Sequence, residues 1–136
     1  MKKLLIILGV VVVAIGAFIF LSPKSDDTAG KVESATQTNT FATIQSEIQG
    51  GAHLIDVRTP EEYTAGHFAG ASNFDSVKVD AGELPNLAKD AKIYLYCRSG
   101  RRAGEVMTAM KNAGFTNIIN LGGLTDVQAI GGTLVQ

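Results

Sequence analysis

The stretch Ile93-Tyr94-Leu95-Tyr96-Cys97-Arg98-Ser99-Gly100-Arg101-Arg102 decides the fold of this chain. Its first four residues form an apolar run typical of a buried strand, and Cys97 opens the loop that follows. Beyond the loop, apolar residues recur at helical spacing: Ala103, Val106, Met107, Met110 and Ala113. Gly114 is then a natural helix end. The stretch therefore predicts a strand, a tight loop and a helix in direct succession.

The loop combines a nucleophile with positive charge. Cys97 is the only cysteine of the chain, and the loop also carries Arg98, Arg101 and Arg102. A thiol attacks as its thiolate, and both arginine charges and the N–H groups of a following helix N-terminus favour that form. They equally favour a bound oxyanion. Ser99 and Gly100 are small, which lets the backbone turn its N–H groups inward. We predict Cys97 as a nucleophile in an anion-binding loop; the alternative is a buried, inert cysteine.

Further elements lie on both sides of this unit along the chain. The other strand candidates are residues 53–57, 71–74 and 118–121, and the other helix candidates are residues 40–48, a short helix after Thr59 and residues 84–89. Thr59-Pro60-Glu61-Glu62 is a helix start in which Thr59 caps, Pro60 is the first helical residue and Glu62 closes a capping box. Alternating strands and helices predict an α/β domain with a mostly parallel sheet and helices on both faces. Ligands bind at the carboxyl ends of such strands, where Cys97 lies.

The first 39 residues differ in composition from the rest. Residues 4–21 are uninterruptedly apolar and follow Lys2 and Lys3. As a helix they would span about 27 Å, close to the hydrocarbon core of a bilayer. We predict a transmembrane signal anchor over residues 1–21, with a cleaved signal peptide as the alternative. Residues 22–39 are polar and predict a flexible linker. The domain would then occupy residues 40–136 and lie outside the cytoplasm, periplasmic or at the cell surface, or be secreted if the signal is cleaved.

Composition limits the function classes. A net charge of −1 gives no basic stripe of the kind that nucleic-acid binding needs. One cysteine excludes an intramolecular disulfide, and in an oxidising compartment it is a free thiol or an intermolecular partner. Two histidines and one cysteine show no metal-ligand spacing. We therefore expect no metal and no nucleic-acid partner.

Several ordered motifs together resemble a single-domain rhodanese. They are Asp56-Val57-Arg58, Pro60-Glu61-Glu62-Tyr63, His67-Phe68-Ala69-Gly70-Ala71, Tyr96-Cys97-Arg98-Ser99-Gly100-Arg101-Arg102-Ala103 and Asn120-Leu121-Gly122-Gly123-Leu124. The resemblance covers roughly residues 40–131. The chain departs from the family pattern in having no tryptophan after the glycine pair.

The resemblance implies a five-stranded, mostly parallel α/β domain and sulfur transfer without a cofactor. It implies that Cys97 takes the outer sulfur of thiosulfate as a persulfide and passes it to cyanide or to a thiol acceptor such as a thioredoxin-like protein. By the same resemblance, the residues that cradle the persulfide and bind the donor are Arg98, Ser99, Gly100, Arg101 and Arg102. Within that set, Arg98 is expected to face the substrate and Arg102 also to structure the loop. Asp56, Arg58 and His67 are expected to support the structure, the first two as a buried charged pair.

Three other functions remain as alternatives. The spacing from Cys97 to Arg102 is C-x4-R, whereas tyrosine and dual-specificity phosphatases use C-x5-R, and Ala103 stands where the longer motif would end. A phosphatase or arsenate reductase is therefore disfavoured. A non-catalytic binding module would use the fold without Cys97. A persulfide carrier for a redox partner would use Cys97 without thiosulfate.

Overall fold

The computed structural model describes residues 40–136. The predicted anchor over residues 1–21 and the predicted linker over residues 22–39 lie outside the described residues. The elements in chain order are α1 (Phe41–Gln49), β1 (His53–Asp56), α2 (Pro60–Ala65), β2 (His67–Phe68), β3 (Ala71–Asn73), α3 (Ser76–Asp80), β4 (Ile93–Tyr96), α4 (Arg101–Asn112), β5 (Ile118–Asn120), α5 (Leu124–Ala129) and β6 (Leu134–Val135). Among residues 40–136, no helix has the length and apolar character that a membrane crossing requires.

The main sheet has four parallel strands in the order β3-β1-β4-β5. Strand β4 lies inside the sheet, where Ile55 of β1 pairs with Leu95, and Leu95 pairs with Asn120 of β5. All four residues of β4 are buried. The continuous apolar run that predicts β4 therefore reflects a strand covered on both faces, as parallel sheets require.

Two hydrophobic layers enclose the sheet, because alternate side chains of a strand point to opposite faces. The layer under α4 is made by Ile55, Val57, Ile93, Leu95, Cys97, Ala103, Val106, Met110, Phe115 and Ile118. The layer under α1 and α5 is made by Phe41, Ile44, Leu54, Phe68, Tyr94, Tyr96 and Val127. Helices thus cover both faces, which confirms the predicted α/β class and the mostly parallel sheet.

Local capping explains where two of the helices begin. The hydroxyl of Thr40 accepts a hydrogen bond from the N–H of Thr43, and α1 begins at the next residue after the cap. At α2, the hydroxyl of Thr59 accepts from the N–H of Glu62, and the Glu62 carboxylate accepts from the N–H of Thr59. Pro60 is the first residue of that helix. The capping box predicted from the sequence is therefore present, atom for atom.

Two predicted details differ from the structure. The main sheet has four strands in the described residues instead of five, because the short strands β2 and β6 pair antiparallel with each other. Residues 84–89 form no helix: Pro85 has no N–H, and its carbonyl accepts from Leu87 in a tight turn. The helix of this region is α3, which begins after Asp75, whose carboxylate accepts from the N–H of Val77.

Candidate active site

Cys97 follows the last residue of β4 at the carboxyl end of the sheet, and α4 begins four residues later. Gly100 is the N-cap of α4 and has φ +88°, a left-handed conformation that favours glycine. Its N–H donates to the Cys97 sulfur at 3.0 Å. No side chain caps α4, so the N–H groups of its first turn donate to no capping side chain and can face a ligand. The loop therefore directs the Gly100 amide dipole at the sulfur, which stabilises negative charge there.

The turn after β5 fixes this loop from the side. The N–H of Cys97 donates to the carbonyl of Gly122 at 3.1 Å, and the N–H of Leu124 donates to the carbonyl of Arg98 at 3.2 Å. Gly123 lies so close that a Cβ added to it would be 2.6 Å from the Arg98 carbonyl oxygen. Only glycine fits at position 123, and Gly122 before it has φ +94°, a left-handed conformation that favours glycine.

Asn120 and Asp126 hold the turn in place. The side-chain amide of Asn120 donates to the Gly100 carbonyl at 3.1 Å, while its oxygen accepts from the N–H of Gly122 at 2.8 Å. Asp126 accepts from the N–H of Gly123 at 2.6 Å. Sequence reasoning assigned neither side chain a role. The available signal was an Asx residue two positions before a glycine pair, which is typical of a side-chain-stabilised turn.

The three loop arginines have different surroundings. Arg98 is exposed and makes no ion pair within the described residues. Arg101 pairs with Glu105 at 2.7 Å on the exposed surface of α4. Arg102 instead reaches α2, where it donates to both carboxylate oxygens of Glu62 at 2.8 and 3.1 Å. The Glu62 contact was not anticipated, because it joins residues 40 positions apart in the chain.

Asp56 and Arg58 lie beside the loop as a buried ion pair. Three hydrogen bonds of 2.6 to 3.0 Å join their side chains, and they are 0% and 4% exposed. Burial opposes the charge of Arg58, but the hydrogen bond and charge of Asp56 raise its pKa overall. Arg58 also donates to the carbonyl of Gly66 at 2.7 Å. The pair therefore fixes the end of β1 against the segment that begins β2.

Two aromatic side chains complete the surroundings. His67 stacks on Tyr63, with ring centroids 3.9 Å apart, and its Nδ1 lies 3.1 Å from the Tyr63 carbonyl oxygen. The Tyr96 hydroxyl accepts from the N–H of Phe68 at 3.2 Å, and burial strongly raises the pKa of Tyr96. These contacts are structural: they join α2 and β2 to the sheet and leave neither side chain directed by a hydrogen bond to Cys97.

The thiol itself is covered. Cys97 is 0% exposed and packs in the layer under α4. A donor can therefore reach the sulfur only if the loop or a neighbouring side chain moves. The sequence-predicted site residues 97–102 form one continuous loop, and Asp56, Arg58 and His67 lie on elements around it.

The sequence profile of the rhodanese-like domain matches residues 40–130, about the whole of the described part. The chain belongs to the rhodanese-like family. This rhodanese-like chain is 36% identical over 78 residues to the thiosulfate sulfurtransferase PspE of Escherichia coli, across 55% of the chain and 73% of PspE. It is 33% identical over 107 residues to the probable adenylyltransferase/sulfurtransferase MoeZ of Mycobacterium tuberculosis, across 76% of the chain but only 27% of MoeZ.

Solved structures show the same fold. A rhodanese with anions from Escherichia coli superposes with a TM-score of 0.52 at 32% identity, covering 62% of the chain and 98% of that protein. The rhodanese-like domain of the Anabaena protein Alr3790 gives a TM-score of 0.56 at 28% identity, covering 62% of the chain and 99% of that domain. The chain is thus a rhodanese-like domain whose relatives include thiosulfate sulfurtransferases.

Proposed function

We propose that the protein is a thiosulfate sulfurtransferase that carries sulfur as a persulfide on Cys97. The observation that carries this proposal is the 3.0 Å hydrogen bond from the Gly100 N–H to the Cys97 sulfur at the uncapped N-terminus of α4. An amide dipole directed at the sulfur stabilises both a thiolate and the anionic outer sulfur of a persulfide. The exposed Arg98 supplies a charge for the sulfonate end of the donor.

The reaction then proceeds in two balanced steps. The Cys97 thiolate attacks the outer sulfur of thiosulfate, a sulfur–sulfur bond forms, and the bond to the sulfonate sulfur breaks to release sulfite. Cyanide next attacks the terminal sulfur of the persulfide, which releases thiocyanate and restores the thiolate. A thiol acceptor, such as a thioredoxin-like protein, would take the same sulfur as its own persulfide. Neither step requires a metal or an organic cofactor.

The proposal extends to the membrane. The apolar residues 4–21 after Lys2 and Lys3 support an N-terminal anchor, with the domain outside the cytoplasm and residues 22–39 as its linker. Expressed in a bacterium, the full chain should sediment with membranes, and protease added to spheroplasts should digest the domain. Recovery of intact chain in the cytosolic fraction would contradict this part of the proposal and leave the chemistry untouched.

Intact-mass spectrometry tests the chemistry directly. The reduced full chain is treated with thiosulfate and measured before and after dithiothreitol. We expect a gain of one sulfur atom that dithiothreitol removes and that Cys97→Ser does not show. Equal cyanide-dependent turnover by wild type and Cys97→Ser would reject the enzyme and favour a binding module. Persulfide formation from a thiol persulfide but not from thiosulfate would favour a carrier.

A further inference from the structure

Glu62 has a second contact that helix capping does not explain. Its Oε2 accepts from the N–H of Thr59 at 3.2 Å, and its two oxygens accept from Arg102 at 2.8 and 3.1 Å. The N–H of Glu62 is itself fixed by the Thr59 hydroxyl at 3.3 Å. Helix α2 therefore holds a carboxylate in a fixed position against the last arginine of the loop.

This pair is better protected from solvent than the other ion pair of the loop. The side chains of Arg102 and Glu62 are 23% and 30% exposed, whereas those of Arg101 and Glu105 are 72% and 59% exposed. The Arg102 hydrogen bond lowers the pKa of Glu62 below its ordinary 4.5, and the same bond raises the pKa of Arg102. Two hydrogen bonds in a half-buried position make a firmer pair than one bond in water.

The pair lies close enough to the sulfur to affect an incoming anion. Arg102 is the second residue of α4, and the N–H of Gly100, the N-cap of that helix, donates to the Cys97 sulfur at 3.0 Å. The charge of Arg102 is thus carried by the first turn of the helix whose N-terminus meets the reacting atom. Because Glu62 neutralises it, a donor at the loop meets the charge of the exposed Arg98, the solvent-exposed pair of Arg101 with Glu105, and little charge from Arg102.

We propose that Glu62 is a positioning and specificity-determining residue of the loop. By pairing with Arg102, it withholds that guanidinium from the donor and weakens binding of doubly charged anions such as thiosulfate relative to singly charged or neutral sulfur donors. The inference rests on the proposed function, because it concerns the donor bound at the same loop. It assigns to Glu62 a role that acts through Arg102 and involves no contact with the donor.

The first test is the KM for thiosulfate of the full chain and of Glu62→Gln. The glutamine keeps an acceptor oxygen for Thr59 and removes the charge. We expect the KM to fall about fivefold at low ionic strength, and the difference to fade as added salt shortens the Debye length. An unchanged or raised KM would overturn the proposal, since a purely structural residue can only weaken the site when it is replaced.

Glu61→Gln is the matched control. Glu61 is the neighbouring residue on α2, is exposed, and does not contact Arg102. The substitution removes an equal charge from the same helical turn and leaves the pair intact. We expect its KM for thiosulfate to change by less than about 1.5-fold, as for a screened surface charge. A fall in KM equal to that of Glu62→Gln would mean that any negative charge on α2 has this effect, and it would overturn the proposal.

A double-mutant cycle tests whether Glu62 acts through Arg102. In an Arg102→Gln background, Glu62→Gln should change the KM by less than about 1.5-fold, because the charge it withholds is gone. A persistent fivefold fall would overturn the proposed route. Thermal unfolding checks that Arg102→Gln is folded; if it is not, the comparison of Glu62→Gln with Glu61→Gln decides alone.

Sulfate binding separates the failure of this inference from the failure of the proposed function. Sulfate is titrated into the wild type and Glu62→Gln while the backbone amide signals of residues 98–102 are followed by NMR. Tighter sulfate binding by Glu62→Gln, with no persulfide on any variant, would reject the sulfurtransferase and keep the role of Glu62. Persulfide formation together with equal sulfate affinity of the two proteins would keep the sulfurtransferase and reject the role of Glu62.

Discussion

The two ends of strand β4 are stabilised in different ways. At its amino end, side chains do the work: Glu47 of α1 accepts a hydrogen bond from Lys92 at 2.7 Å and another from the Tyr94 hydroxyl. At its carboxyl end the contacts are made largely by backbone, with Cys97 and the loop held by the Gly122 carbonyl and by the close approach of Gly123.

The difference follows from what each end must leave free. At the amino end, the charges of Glu47 and Lys92 pair with each other. The hydrogen bonds from Lys92 and Tyr94 lower the pKa of Glu47. The carboxyl end leaves the side chain of Arg98 exposed and turns the Gly100 N–H toward sulfur. Stability can be supplied by paired charges, whereas anion chemistry requires charges that are still available to a ligand.

The largest effect on stability should come from the buried pair beside the loop. Asp56→Asn leaves the Arg58 charge buried without its partner, and we expect a loss of about 3–5 kcal/mol in the free energy of unfolding. Urea denaturation followed by circular dichroism measures it. Glu105→Gln, which breaks the exposed pair of α4, should cost less than about 1 kcal/mol. Similar losses for both variants would mean that burial does not set the importance of these pairs.

The next largest effect should be on the rate of persulfide formation, which depends on the loop at the carboxyl end of β4. Gly123→Ala drives a methyl group into the Arg98 carbonyl and shifts the loop, so we expect persulfide formation to slow about 100-fold. Gly114→Ala is the control: Gly114 has φ +94°, so alanine there strains the backbone, but its Cβ would meet no atom within 4 Å. Gly123 has φ −94°, so alanine there acts through the contact alone. The rate of Gly114→Ala should equal that of the wild type. Quenched-flow mass spectrometry measures both, and equal slowing would exclude the proposed contact as the cause.

The smallest effect should be at the amino end. Glu47→Gln should cost about 1 kcal/mol of unfolding free energy at neutral pH and leave persulfide formation unchanged. Because the pKa of Glu47 is lowered on folding, its contribution is complete above its ordinary 4.5 and is lost as the pH falls through the lowered value. The difference between wild type and variant, compared by urea denaturation, should therefore stay constant from pH 7 to about 4.5 and shrink as the pH falls further. A difference independent of pH would rule out this linkage.

The sequence predicts those features that local chemistry determines. The capping box at Thr59, the buried run of β4 and the glycine at the start of α4 can each be inferred from a few neighbouring residues. The family resemblance joins these pieces into the correct class, a mostly parallel α/β sheet, but it implies five strands where the main sheet of the described residues has four. Residues 84–89 show the limit: their apolar spacing is helical, yet Pro85 and the packing of Leu87 on the core favour a turn.

Contacts between distant residues of the chain could not be inferred in this way. Glu62 has a complete local explanation as a capping residue, and nothing near it in sequence indicates Arg102. The same holds for the hydrogen bond from Asn120 to the Gly100 carbonyl. Both contacts exist because parallel β strands bring the ends of separate segments to one edge of the sheet.

The way in which the loop is fastened makes it a scaffold for redesign. Glycine contacts and backbone hydrogen bonds hold its path, whereas the side chains of Arg98, Ser99 and Arg101 are exposed. These three positions can therefore be randomised together in a library with little cost to folding. Selection from such a library could retarget the same nucleophile to donors of other size and charge, with the course of the backbone left as it is.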